Sequence, residues 1–290
     1  MTTAARAGLR RALERRRDAP VGTPLRDLYA ARYARPTRAR ATTFWGDEMD
    51  VVLPELVSCE IHRYGVIEPG LSALFVDVVR PGTVVFDAGA HLGYYSLLAA
   101  SLGARVHAFE PSRQTLPLLR DNAAGRVRVV PAGLWSAETT LSLTDFGSGH
   151  SALDTFVSSR DESAAPRGAY DARVTTVDAY VAAAGDVPDV VKVDAEGAEL
   201  EVLRGAASTM TTARPLVTVE VGDTGRGPRS RDALDFAATL GYAPFDVTPD
   251  GVRPHRVRDE YEYGNVLLAP EPAASELLGR RTSPRAPTRP

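Results

Sequence analysis

The chain has 290 residues, 44% of them hydrophobic, and a formal net charge of −3, enough for one large domain with a sizeable core and additions. The charge gives no global case for nucleic-acid binding, no run approaches the ~18 apolar residues of a membrane span, and the N-terminus lacks a signal-peptide apolar stretch. The single cysteine, Cys59, excludes an intramolecular disulfide and fits a reducing, cytoplasmic setting; a homo-oligomer is left open.

The first forty residues are rich in Arg and poor in acid. They read as a solvated helix ahead of the core rather than one resting on anionic lipid or a partner. Gly46-Asp47 between two β-prone runs marks a hairpin. Pro69-Gly70 opens a short helix over 71–79, which Pro81-Gly82 ends. Regular alternation begins at Thr83: strand 84–86, helix 94–102, strand 105–110, a helix from an N-cap at Ser112 to Ala123, and strand 126–131. "TTLSLTDF" alternates like an exposed strand, and the Gly/Ser/Pro-rich stretch after it reads as a long loop of the kind that often carries function. "RVTTVDAYVAAAG" reads as strand, Thr cap and helix. Strand 189–194, helix 198–211, strand 215–221, a helix near 231–240 and strands in "GYAPFDVT" and "NVLLAP" complete the pattern. The expected fold is α/β, a doubly wound, mostly parallel sheet with helices on both faces. Residues 1–80 are expected to form a basic helical arm and β-hairpin cap, 81–270 the cofactor-binding domain, and 271–290 a disordered tail.

In such sheets a ligand sits outside the carboxyl ends of the strands, which singles out Asp87, Glu110, Asp194 and Glu220. The loop in "VVFDAGAHLGYYSLLAA" has the spacing D-x-G-x-x-x-G. It lacks the third glycine of a dinucleotide fingerprint, and Asp87, two residues before Gly89, would sit close to any pyrophosphate. It suits S-adenosylmethionine, which carries a sulfonium and an ammonium. Glu110 ends the next strand, where an acid accepts hydrogen bonds from ribose hydroxyls. Of 34 basic residues only Lys192 is a lysine, a hint that a compact ammonium is needed there. Strand alternation puts it on one face with Asp194, as an internal ion pair in preference to a contact with an anionic acceptor.

The stretches "FDAGAHLGYYSLLA", "HAFEPS", "PAGLWS", "VTTVDAYV" and above all "VKVDAEGAELEVLRGA" resemble the FkbM family of S-adenosylmethionine-dependent methyltransferases. The resemblance runs from about Thr43 to Pro270 and includes "FWGDEMDVVLPE" and "RYGVIEPG". It implies the class I methyltransferase, Rossmann-like fold over 81–270, with a seven-stranded sheet and one antiparallel strand near the C-terminus. It implies O-methylation of a small-molecule hydroxyl, as on a bacterial natural product or a sugar. It places Asp87, Gly89 and Gly93, with Ala90 and His91 in the same loop, around the methionine moiety. Glu110 falls on the ribose, Ala132 and Gly133 near the adenine, and Asp194 beside the methyl donor and the acceptor. Tyr64 and Glu68 would close over the methionine end, unless Glu68 only caps the helix at Pro69. His91 stands where Asn is usual.

A neutral alcohol must lose its proton during transfer. His150, in the Gly-flanked "GSGHSAL" loop, is one general-base candidate. Asp194 and Glu220, with Glu196 or Asp223 nearby, offer hard oxygen ligands for Mg²⁺. Asp194 or Glu196 acting directly is the third route, and His91 a fourth. The "DAEG" turn lacks the Asn/Asp-Pro-Pro-aromatic pattern of amino-methyltransferases that act on bases. A carboxyl- or protein-directed methyltransferase, or a non-catalytic cofactor-binding module, remains the alternative.

Overall fold

The structure, a computed structural model, describes residues 2–15, 23–147, 151–157, 166–223 and 229–279. Helices α1 (Thr3–Glu14) and α2 (Thr23–Ala30) precede a hairpin of β1 (Thr37–Thr42) and β2 (Glu48–Leu53). In β2, Met49, Val51 and Leu53 are buried, while Glu48 and Asp50 pair with Arg38 and Arg40 across the hairpin. Period-two alternation thus divides the strand between core and solvent. Helix α3 (Leu56–Tyr64) starts at Glu55, whose carboxylate accepts the Val57 and Ser58 N–H groups. Helix α4 (Pro69–Val78) begins with proline in its first turn and buries six consecutive residues, Leu71 to Val76.

The alternating part follows as β3 (Val84–Ala88), α5 (Tyr94–Ser101), β4 (Arg105–Phe109), α6 (Leu116–Ala123) and β5 (Arg128–Val130). A small separate sheet has the order β6 (Gly133–Leu134), β8 (Gly168–Thr175), β7 (Thr139–Asp145). The chain returns through α7 (Val177–Ala184), β9 (Val190–Val193), α8 (Glu199–Arg204), α9 (Ala207–Thr212) and β10 (Leu216–Val221). It ends with α10 (Ser230–Thr239), β11 (Tyr242–Thr248), β12 (Gly251–Pro254), β13 (Gly264–Pro270) and α11 (Ala273–Gly279).

The main sheet has the order β12-β11-β13-β10-β9-β3-β4-β5. Pairs from β10 to β5 are parallel; β13 runs antiparallel to β10 and to β11. The seven expected strands are present. An eighth, β12, pairs antiparallel with β11 at the edge, because "TPDG" turns the chain straight back. Strand β3 lies between β4 and β9, so the winding reverses there and a crevice opens outside the carboxyl ends of β3 and β9. Val85 faces one core with α4 and α5, and Val84, Phe86 and Ala88 face the other with α8 to α10.

Three expectations are corrected. Helix α6 starts at Leu116, not near Ser112, whose polar groups are engaged elsewhere. The helix expected over 198–211 is two, because Asp178 of α7 accepts the Ser208 and Thr209 N–H groups and so caps α9 separately. The arm and hairpin of residues 1–80 pack onto the domain: Leu13, Met49, Leu53 and Phe75 share one core cluster with Leu97, Leu98 and Val106. Residues 273–279 of the expected tail form α11, with Ala274 buried; 280–290 lie outside the described residues. Among the described residues no helix is long and apolar enough to cross a membrane.

Candidate active site

A cavity of about 760 Å³ opens in the crevice and is lined by residues at the carboxyl ends of β3, β4, β9 and β10. Two loops meet there at close range. A Cβ on Gly89 would stand 1.8 Å from the Asp194 carbonyl oxygen, and Gly89 has φ +74°. Only glycine allows that backbone approach.

Beneath this junction Lys192 is 3% exposed. Its Nζ lies 3.1 Å from Asp194 Oδ2 and 3.4 Å from Asp87 Oδ1, donates to the Gly89 carbonyl at 3.4 Å, and sits over the Tyr95 ring. Burial alone would lower its pKa. The carboxylates of Asp194, Asp87 and Glu68 more than offset burial and hold it well above the usual lysine value. Acceptors converging on one point suit a compact ammonium rather than a planar fork, which accounts for a lysine at this position. Asp87 itself is 1% exposed, accepts the Ser96 hydroxyl at 2.6 Å, and does not line the cavity.

Glu110 follows β4 and is also buried. It accepts the Ser112 N–H and the His91 N–H, each at 2.8 Å. Burial pushes its pKa up to about 7, against the pull of those two donors. The Ser112 hydroxyl donates to Asp154 Oδ2 at 2.8 Å; this is why Ser112 caps no helix. His91, at φ 49°, places Nε2 3.0 Å from Ser151 Oγ, and burial lowers its pKa.

Glu68 stands at the N-cap position of α4 with φ 41° but makes no capping bond. Its carboxylate accepts hydrogen bonds from Tyr95 Oη at 2.9 Å, Tyr263 Oη at 2.8 Å and Asn265 Nδ2. Burial, then Asp194, raises its pKa. Tyr95 stands in the first turn of the helix that follows the glycine loop, a local pattern visible in the sequence. Tyr263 and Asn265 lie 195 and 197 residues from Glu68, and no local pattern marks them.

Carboxylate oxygens of Asp194, Glu196 and Glu220 lie within 4.8 Å of one another. The cavity lining also includes Gly89, Ala90, His91, Glu68, Glu110 and Gly133 from the sequence-derived set, together with Asp223. Tyr64, Gly93 and Ala132 are not on it: Tyr64 packs against the core, Gly93 starts α5, and Ala132 is buried. His150 lies outside the described residues. The structure adds Tyr95, Asp154, Phe156, Tyr261 and Tyr263.

A sheet of this strand order, with its cavity at the point where the winding reverses, is the class I methyltransferase architecture. The chain belongs to the FkbM methyltransferase family: the Methyltransferase FkbM domain matches residues 87–244. Hexuronic acid methyltransferase AglP of Haloferax volcanii is 28% identical over 159 residues, 53% of this chain and 62% of that relative. The 31-O-demethyl-FK506 methyltransferase FkbM of Streptomyces tacrolimicus is 48% identical over 56 residues, 17% of this chain and 22% of that relative. The chain thus spans less than two thirds of either relative's length. Among solved structures, the crystal structure of Methyltransferase FkbM from Methylobacillus flagellatus KT has 18% identity and a TM-score of 0.41, covering 72% of this chain and 52% of that one.

Proposed function

We propose that the chain is an S-adenosylmethionine-dependent methyltransferase acting on a hydroxyl of a small molecule. The observation that carries this is the charge of the cavity. Glu68, Glu110, Asp194, Glu196 and Glu220 line it, and the one ammonium among its described lining residues, Lys192, is shared between Asp87 and Asp194. A pyrophosphate would meet a wall rich in carboxylates, whereas a sulfonium and an ammonium would be attracted. The volume lies within the usual range for small-molecule sites. The two curated relatives, a hexuronic acid and a 31-O-demethyl-FK506 methyltransferase, support an oxygen-bearing small acceptor.

In this proposal Glu110 accepts the ribose hydroxyls, the Gly89–His91 backbone and Glu68 hold the methionine part, and Gly133 borders the base. Asp87 acts from below, through Lys192 and Ser96, by fixing the loop. When bound, the cofactor supplies an electrophilic methyl group on a good leaving group. The chain contributes alignment, worth about 7–11 kcal/mol in favourable cases, and a site for the acceptor's proton. Glu220 lies on a strand, a rigid support for a reacting group, and borders the cavity beside Asp194 and Glu196. We assign Glu220 as the proton acceptor. The close trio of Asp194, Glu196 and Glu220 supports a second reading, Mg²⁺ activation of the hydroxyl. The Lys192 ammonium beside Asp194 weighs against a dication there.

Calorimetry on the full chain tests the cofactor. S-adenosylmethionine and S-adenosylhomocysteine should bind with Kd near micromolar, about −8 kcal/mol, and NAD should not. NAD binding without either sulfur ligand would overturn the proposal. Labelled methyl transfer to a panel of hydroxylated, carboxylated and peptide acceptors separates O-methylation of a hydroxyl from its alternatives.

A further inference from the structure

Part of the cavity wall is used by none of the cofactor assignments. It comes from α3, in the N-terminal part of the chain, and from residues 261–263, just before β13. On α3, Leu56, Val57, Glu60 and Ile61 line the cavity; positions i, i+1, i+4 and i+5 form one face of a helix. Ile61 is buried, whereas Leu56, in the first turn, is 39% exposed.

Tyr263 is 67% exposed, yet it is held at several points. Its hydroxyl donates to Glu68, and Gly264 after it pairs with Val221 of β10. Two residues earlier, the Tyr261 N–H donates to Asp223 Oδ2 at 2.9 Å and the Tyr261 carbonyl accepts the Asp223 N–H at 2.8 Å. The Tyr261 hydroxyl lies 2.9 Å from His255 Nε2, and His255 Nδ1 lies 2.6 Å from Asp246 Oδ1. The Tyr263 ring therefore stands on a fixed support. Four large hydrophobic side chains are left exposed among the described residues, and two of them, Leu56 and Tyr263, line this one cavity. Apolar surface gathered in a concave site, rather than scattered singly, marks a ligand contact.

Charge limits what can lie there. Glu60, Glu196, Glu220, Asp223 and Glu262 share the lining. Among the described lining residues the one ammonium or guanidinium is that of Lys192, buried and engaged by Asp87 and Asp194. We propose that Leu56, Val57 and Tyr263 form the acceptor-selecting wall: it takes a hydroxylated molecule with an apolar hydrocarbon or ring face and rejects one that carries a carboxylate or phosphate. This rests on the hydroxyl-methyltransferase proposal above. An apolar face gains by leaving water against leucine, valine and an aromatic ring, whereas an anion would lose its hydration in a field of like charge.

The test is calorimetry on the full chain at pH 7.5 with S-adenosylhomocysteine at saturation, so that the cofactor's part of the cavity is filled. The probes are a matched pair, 2-naphthalenemethanol and 2-naphthoate, which share one ring system and differ in charge. The alcohol should bind about tenfold more tightly or better, the scale set by burying one leucine side chain. Leu56→Asp puts a charge on the apolar face and an acid in the first turn of α3, where a helix tolerates it. It should weaken the alcohol by about tenfold and leave S-adenosylhomocysteine affinity unchanged. Tyr263→Phe keeps the ring and should keep the alcohol's affinity, whereas Tyr263→Ser should lose about tenfold. Equal binding of the two probes, no saturable binding of the alcohol, or full alcohol affinity in both Leu56→Asp and Tyr263→Ser would overturn the assignment. So would loss of S-adenosylhomocysteine together with the alcohol in Leu56→Asp, since α3 would then serve the cofactor. Failure of S-adenosylhomocysteine to bind the native chain would instead overturn the cofactor proposal.

Discussion

Replacing Lys192 by Met preserves most of the side chain's length and removes its charge. In the native chain the ammonium stands 3.1 Å from Asp194 and 3.4 Å from Asp87. At an effective dielectric of about 20, each such pair is worth roughly 5 kcal/mol before desolvation is subtracted. Desolvation of buried Lys192 and Asp87 consumes most of that gain, so the pair itself stabilises little. Its loss is another matter, because Asp87 is 1% exposed and would remain as a buried charge. Breaking one side of such a pair costs about 3–5 kcal/mol. At roughly 2–4 °C per kcal/mol for a large domain, Tm should fall by about 6–20 °C. The double variant Lys192→Met/Asp87→Asn should recover at least half of the loss. The native ammonium, held above its unfolded value of about 10.4, contributes fully below that pH and fades as pH rises through its folded pKa. Thermal melts at pH 8, followed by circular dichroism, read the loss and its recovery in the double variant. A Tm loss under about 2 °C in the single variant, well inside the spread expected for surface changes, would refute the account of Lys192 as the counter-charge for Asp87.

The pKa of Glu110 is raised from 4.5 to about 7, so its contribution to stability is complete below pH 4.5 and is lost as pH rises toward 7. The loss is on the order of 3 kcal/mol, visible as a Tm decline over that window without ligand. S-adenosylhomocysteine affinity should move the opposite way, strengthening with pH through 7 as Glu110 becomes the carboxylate that ribose hydroxyls need. A flat affinity profile would remove Glu110 from the ribose. Gly89→Ala drives a methyl group into the Asp194 carbonyl, so S-adenosylhomocysteine binding should drop at least tenfold, the change for about 1.4 kcal/mol; near-native affinity would show that the two loops separate without cost. Glu220→Gln should lower turnover by about 10²–10⁴, with cofactor affinity retained and EDTA without effect on the native enzyme. EDTA inhibition reversed by Mg²⁺ would favour the metal reading, and an equal loss in His150→Ala with Glu220→Gln fully active would move the base to the Gly-flanked loop.

The local elements were legible because their causes are local. Apolar runs bounded by Pro-Gly and Gly-Asp turns mark the strands and helices from Thr83 onward, and the D-x-G-x-x-x-G loop shows where the chain passes from β3 to α5. Alternation along β9 puts Lys192 and Asp194 on one face whatever the rest of the chain does. Ser112 shows the limit. Its sequence context is that of an N-cap, but Glu110 and Asp154 compete for its N–H and hydroxyl, and Asp154 arrives from 42 residues away. The same holds for Glu68, whose partners Tyr263 and Asn265 come from the far end of the chain, and for Gly89, whose close neighbour is the Asp194 carbonyl. Short-range patterning sets which residues lie at the end of a strand. Which strand ends share a cavity depends on strand order, and that is decided only when the sheet assembles and its two hydrophobic faces are covered.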